Sequence, residues 1–351
     1  MHRSAWAIDG SGKELRIDIQ ILRAWAVSIV VLYHAEIPGF SGGFLGVDVF
    51  FVVSGFLMTG IIAKGLERGD FSFLAFFLRR ARRLLPASLA TVTLVAILAP
   101  FVLGQRELQD LKSQVLGAVT FTSNIVLWRQ SDYFSGDSDL KPLLHIWSLS
   151  LEEQYYLVLP LVLYLIPSNR WKLAGLVLVT LSAAMCVIAM QSHPSAAFYL
   201  LPTRAWELGI GSLCALITVT GQAAKVLRYA FWPALLCMAF VAASPLVLIH
   251  PGLDALVVCL STALILLRRY PITASGWLVT LAIWIGNISY SLYLIHWPII
   301  SFLNNAFVGF KDEPLPLVYR LLAVAISIPF AGLMFRYVDL PRNRLSVKSP
   351  R

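Results

Sequence analysis

Asp18-Ile19-Gln20-Ile21-Leu22-Arg23-Ala24-Trp25-Ala26-Val27-Ser28-Ile29-Val30-Val31-Leu32-Tyr33-His34-Ala35-Glu36 decides how the rest of the chain is read. The run is long enough to cross a bilayer as a helix, which takes roughly 17–25 residues. Yet it carries an arginine and a histidine, eleven residues apart. Eleven residues make almost a whole number of helical turns, so both side chains project from one face, about 16 Å apart along the axis. A charge at the centre of a membrane helix costs about 2.5–3.5 kcal/mol on insertion scales, so the pair needs a reason. A guanidinium near one membrane surface suits a phosphate, and an imidazole at depth suits proton transfer or nucleophilic work. The alternative is a snorkelling arginine with an unrelated interfacial histidine.

Comparable apolar runs recur at 44–62, 84–103, 143–166, 171–190, 198–219, 229–249, 253–267, 277–300 and 317–335. They predict an all-α polytopic transmembrane bundle of about ten spans. The composition agrees, because 58% apolar and 13% charged residues cannot clothe a water-soluble domain. The stretch 115–128 is shorter and more polar, and reads as a re-entrant or interfacial segment. The first sixteen residues are polar and precede no small-residue cleavage site, so the first span is expected to be retained.

The formal charge of +9 could indicate a nucleic-acid partner, but its distribution does not. Arg79, Arg80, Arg82, Arg83, Arg170, Lys172, Lys225, Arg228, Arg268 and Arg269 fall in alternate short connections, and Arg342, Arg344, Lys348 and Arg351 in the tail. That is the positive-inside pattern, and it places both termini in the cytoplasm. The expected organisation is one membrane domain over 16–342, a cytoplasmic segment over 1–15 and a cytoplasmic tail over 343–351. The Phe-rich stretch 71–78 leads into the arginine cluster and reads as an amphipathic helix along the interface. Cys186, Cys214, Cys237 and Cys259 lie inside apolar runs without ligand spacing, so packing is their expected role and no metal is expected. No internal repeat is visible, which disfavours the common transporter architectures.

The other intramembrane polar residues are Asp48, Glu152, Glu153, Arg204, Glu207 and His296. Asp48 follows a short turn and falls at the depth of His34, where a carboxylate would orient the imidazole. A helix N-terminal aspartate placed for the dipole fits equally. Two arginines three apart within Arg79–Arg83 can clamp phosphates or anchor the chain by charge, and the two roles are compatible. Arg204 and Glu207, three apart on one helix, can pair with each other. His296 lies near the outer end of its span, in an aromatic-belt position. By depth, Arg23 and the arginine cluster form an inner level, and His34, Asp48, Glu152, Arg204, Glu207 and His296 an outer one.

Taken in order, these residues resemble the acyltransferase-3 family, the bacterial membrane acyltransferases of O-antigen and peptidoglycan O-acetylation. The matching stretches are Leu22-Arg23-Ala24 through Tyr33-His34-Ala35, Gly43 to Phe56, Arg79 to Pro86, Trp147 to Tyr156, Arg204 to Gly209 and Asn287 to Pro298. The resemblance implies a cytoplasmic acyl-CoA donor, usually acetyl-CoA, and transfer to a hydroxyl of a cell-surface glycan or its lipid-linked precursor. It implies that Arg23 contacts the donor and that His34 is the catalytic histidine, with Asp48 and Glu152 expected beside it. The family's arginine motif maps onto Arg80 and Arg83, although Arg79 and Arg82 have the same spacing. Arg204, Glu207 and His296 are expected as supporting polar residues. Many relatives add a span and an extracytoplasmic esterase-like domain. This chain stops soon after Val338-Asp339-Leu340-Pro341-Arg342, so it is expected to act alone or with a separate extracytoplasmic partner. The expected location is the cytoplasmic (inner) membrane. His34 would serve as general base or as transient acyl carrier. The rival classes are a transporter or flippase of a polysaccharide precursor and a non-catalytic acyl-relay subunit.

Overall fold

The computed structural model describes residues 7–8, 14–130, 136–246, 250–268, 276–307 and 315–340. Within them the chain forms thirteen α-helices: α1 (Ile17–His34), α2 (Gly46–Arg68), α3 (Phe73–Leu98), α4 (Gln105–Thr120), α5 (Ser123–Gln130), α6 (Ile146–Leu165) and α7 (Trp171–Ser192), then α8 (Pro194–Tyr199), α9 (Leu201–Leu216), α10 (Gly221–Ala243), α11 (Leu253–Arg268), α12 (Trp277–Ala306) and α13 (Leu317–Met334). A two-residue antiparallel pairing, Ala7–Ile8 with Glu14–Leu15, precedes α1. Arg269 and the tail residues Arg342, Arg344, Lys348 and Arg351 lie outside the described residues.

Seven helical segments are long and apolar enough to cross a membrane by length and composition: those of α1, α2, α3, α7, α10, α12 and α13. The chain is therefore a multi-pass helical membrane protein. The other three of the ten expected spans correspond to α6, α9 and α11, and each falls short for a visible reason. α9 and α11 have 16 residues each, about 24 Å of helix against a hydrocarbon core of about 30 Å. α6 has 20 residues but carries Glu152, Glu153 and Gln154.

Two expected segments take a different form. The Phe-rich stretch is not a helix of its own: it runs on through the arginine cluster and Pro86 as the first turns of α3. The Ser72 hydroxyl caps that helix by accepting from the Ala75 amide. The segment 115–128 is split between α4 and α5, with Phe121 in the left-handed region at φ 55° ending the first.

α1, α2, α9 and α12 form the centre. α1 packs on α12 and α2, α2 on α9, and α7 covers α9 from outside. The α2–α9 contact is backbone on backbone. A Cβ at Gly55 would stand 1.9 Å from the Leu208 carbonyl oxygen, and one at Gly211 would stand 1.9 Å from that of Val52. Small residues permit this approach, which carries helix association where lipid removes the hydrophobic drive. α7 and α13 sit at the rim with Leu176, Val187, Leu322 and Phe330 exposed, as a lipid-facing surface requires.

Candidate active site

Arg23 of α1, Arg80 and Arg83 of α3 and Glu152 of α6 converge on one cavity of about 110 Å³, walled by Ser54 and Phe50 of α2 and Tyr293 of α12. The i, i+3 spacing puts Arg80 and Arg83 on the same face of α3. Arg79, Arg82 and Arg83 are all exposed, but of the three only Arg83 lines the cavity. This distinguishes the two arginine pairs that the sequence left equivalent. Arg80 is spoken for: its Nη2 lies 2.6 Å from Glu153 Oε1, and its guanidinium stacks 3.8 Å above the Tyr156 ring. The Tyr156 hydroxyl in turn shares a hydrogen bond with Ser54. Arg23 and Arg83 make no hydrogen bond or ion pair with a described residue. Two arginine side chains without a fixed partner thus face a cavity that holds one carboxylate, an arrangement whose chemistry suits an anion.

The cavity ends at Tyr293. Its hydroxyl donates to the His145 carbonyl oxygen at 3.0 Å and shares a 2.6 Å hydrogen bond with Ser148. Its ring centroid lies 5.6 Å from those of both His145 and His296. His34 is not in the cavity wall. It stands beyond Tyr293, at the last residue of α1, in a cluster of three imidazoles.

His34 Nδ1 lies 2.9 Å from His296 Nε2, with the two rings stacked 5.2 Å apart. His296 Nδ1 lies 3.0 Å from the Leu292 carbonyl oxygen. A carbonyl only accepts, so His296 carries its proton on Nδ1. With both rings neutral, His296 Nε2 accepts and His34 Nδ1 donates, which makes Nε2 the lone-pair nitrogen of His34. The edge of Trp297 packs 4.4 Å from the His34 ring. The Trp297 indole is itself anchored, donating to the Lys141 carbonyl oxygen at 2.7 Å. His296 therefore holds His34 rather than standing in an aromatic belt.

Asp48 does not orient His34. Its carboxylate Oδ1 lies 3.1 Å from Arg204 Nη2 and 3.6 Å from His250 Nε2. Arg204 also reaches Glu207 Oε1 at 3.1 Å, the pairing expected from their spacing, and His250 Nε2 at 2.8 Å. Asp48, Arg204 and Glu207 are fully buried. The reason lies in helix phase: Asp48, Val52 and Gly55 share one face of α2, and Val52 and Gly55 touch the α9 backbone. Equal depth in the membrane did not mean a shared face.

Three further residues escaped the sequence reading. His145, just before α6, is buried, and neither ring nitrogen has a hydrogen-bond partner among the described residues. The available signal was a histidine at the start of a span, level with His34 at the end of another. His250 lies just past the end of an apolar run. Arg320, at the start of α13, holds Glu36 next to His34, with Nη2 2.6 Å from Glu36 Oε2.

Residues 16–336 match the family described as Acyltransferase domain. Over 296 residues the chain is 34% identical to the candidate membrane-bound transacylase BcsY of Komagataeibacter xylinus, covering 83% of this chain and 75% of that protein. It is 27% identical over 350 residues to O-acetyltransferase OatA of Staphylococcus aureus (strain NCTC 8325 / PS 47), covering 93% of this chain. A candidate O-acetyltransferase of Staphylococcus aureus (strain COL) is 28% identical over 353 residues. The chain spans 57% of the length of both staphylococcal proteins. No solved structure matches.

Proposed function

Since the chain belongs to the acyltransferase-3 family, we propose that it is a membrane O-acyltransferase that moves an acyl group from acyl-CoA, acetyl-CoA above all, to a hydroxyl of an envelope glycan or its lipid-linked precursor. The observation that carries this reading is one helix, α1, with Arg23 in the wall of an anion-ready cavity and His34 hydrogen-bonded by His296 at its other end. The positive-inside distribution supports a cytoplasmic opening for the cavity, in the inner membrane of a bacterium, with both termini cytoplasmic.

The donor phosphates meet Arg23 and Arg83, while Glu153 fixes Arg80 at their side. Glu152 lines the same cavity and acts on the donor's side of the reaction, not beside His34. The pantetheine arm runs towards Tyr293, and the thioester carbonyl is presented to the histidine cluster. The acceptor oxygen bonds to the carbonyl carbon and the carbon–sulfur bond breaks. His34 Nε2 takes the hydroxyl proton and returns it to the departing thiolate, so the products are an ester and free CoA thiol. His296 keeps that nitrogen unprotonated beforehand, the part first expected of Asp48.

A general base contributes about 10²–10⁴-fold, so His34→Ala lowers ester formation by at least about 100-fold. The measurement is mass spectrometry of envelope glycans from deletion and His34→Ala strains, with acetyl-CoA binding by the purified variant as the control. A variant that binds acetyl-CoA and still forms the wild-type amount of ester removes this reading.

A further inference from the structure

On the side of His34 away from the donor cavity lies a second, smaller pocket of about 20 Å³, lined by His34, Glu36, Asn304 and Arg320 with the aliphatic side chains of Ile300 and Leu303. It is enough for one water-sized group. Glu36 at its mouth has a side chain that is 61% exposed, so the pocket reaches the surface. Ten residues of α1 separate His34 at this end from Arg23.

We propose that this pocket is the acceptor subsite, in which the Asn304 amide and the Glu36–Arg320 pair hold one neutral hydroxyl of the acceptor against Nε2 of His34. The assignment rests on His34 being the base, as argued above.

Asn304 comes from α12, two turns beyond His296, and its side-chain amide makes no hydrogen bond with a described residue. Its neighbour Asn305, by contrast, donates to the carbonyl oxygens of Leu140 and Ser301. An amide offers donors and an acceptor together, which suits a hydroxyl that must keep its oxygen held while its proton leaves. Glu36 stands in the left-handed region at φ 50°, a conformation a glutamate rarely adopts. Arg320 holds it there twice, donating from Nη1 to the Glu36 carbonyl oxygen at 3.0 Å and pairing with its carboxylate at 2.6 Å. Backbone strain of this kind persists where the surroundings over-determine it, and it clusters at ligand sites.

The charges define the class of acceptor. Arg320 is matched by Glu36, so the pair offers no surplus positive charge to a phosphate or a uronate, and a neutral saccharide hydroxyl is the fitting group.

The test uses the full chain in cells lacking the native copy, with alkali-labile ester on envelope glycans as the readout and acetyl-CoA as the binding probe. Asn304→Ala should lower ester at least about tenfold while acetyl-CoA affinity stays within about twofold. Asn304→Cys, in a background carrying Cys237→Ala to remove the one exposed native cysteine, should react with a membrane-impermeant maleimide added from outside. That reaction should abolish the residual ester formation, about a tenth of wild type or less, that Asn304→Cys retains. The label meets protein already folded in the membrane, so a folding defect of the alanine variant cannot decide the matter. Wild-type ester from Asn304→Ala, an Asn304→Cys that stays unlabelled, or a labelled one that keeps working would each overturn the subsite. Failure of the function itself reads differently: His34→Ala would then retain its ester.

Discussion

Two arginine clusters lie inside this bundle, and the sequence presents them as equals. Around Arg204, the guanidinium is paired at 3.1 Å with two carboxylates, Asp48 from α2 and Glu207 from α9, and lies 2.8 Å from His250 Nε2. Phe51, Trp147 and Phe198 surround it at 5.4–5.6 Å. Around Arg23 and Arg83, a cavity of about 110 Å³ stands open and one carboxylate, Glu152, faces it. The first cluster is closed by ion pairs and ties α2 to α9, although Asp48 Oδ2 and Arg204 Nε lack hydrogen-bond partners among the described residues. The second has charge to offer a ligand. The cost of placing a charge in a membrane is the same in both, so cost alone does not mark a functional site. What separates them is whether the charge has been spent.

The sharpest way to break this comparison is to strip one partner from the closed cluster. Asp48→Ala leaves a buried guanidinium short of a carboxylate, and losing one member of a buried pair costs about 3–5 kcal/mol. The expected result is loss of folded protein in detergent, read by size-exclusion chromatography and thermal denaturation. Replacing Asp48, Arg204 and Glu207 together with leucine or methionine should recover much of that stability, because a complete ion cluster is replaceable by apolar packing. If Asp48→Ala folds as wild type and loses only catalysis, the cluster belongs to the active site and the distinction fails.

A smaller effect is expected in the open cluster, and of the opposite kind. Arg83→Ala removes a side chain with no ion-pair partner among the described residues, so thermal stability should hold. Acetyl-CoA should bind about tenfold more weakly, since one hydrogen bond to a charged group is worth about 1.5–3 kcal/mol. Thermal denaturation checks the first and isothermal titration of the purified variant the second, with desulfo-CoA a suited non-reacting probe because it keeps the phosphates. An unchanged affinity would move the donor phosphates away from this cavity.

How much of this was legible beforehand follows from which properties are one-dimensional. Membrane class and the helical runs follow from apolar length, and those runs reappear as helices, with α6, α9 and α11 the weakest by the same measure. The one-face placement of Arg23 and His34 follows from helical repeat within a single element. Helix-to-helix facing does not follow. Asp48 was set beside His34 because both lie at one depth, yet the rotation of α2 is fixed by Gly55 and Gly211 meeting α9, and it turns the carboxylate to Arg204. His145 and Arg320 were not singled out because a histidine or arginine at a span end is ordinary until its neighbours are known. The part of the site built within α1 was readable. The part built between α1, α6, α12 and α13 was not.

The smallest expected effect tests the finest point, the register of the arginine motif. Arg79 and Arg82 repeat the spacing of Arg80 and Arg83 one residue earlier, a rotation of about 100° around the helix. That rotation carries them from the cavity to the exposed side of α3. There they contribute only screened attraction, and an exposed charge pairing is worth about 0–1 kcal/mol. Arg79→Ala combined with Arg82→Ala should therefore weaken acetyl-CoA by less than about fivefold, and the loss should shrink further as salt shortens the Debye length to about 3 Å at 1 M. The Arg83→Ala deficit should survive that salt better, because the contact proposed for it is direct, at the cavity lining. If the double variant costs as much as Arg83→Ala at high salt, α3 turns the other pair inward when the donor binds. The open cluster would then include residues that its unliganded form keeps at the surface.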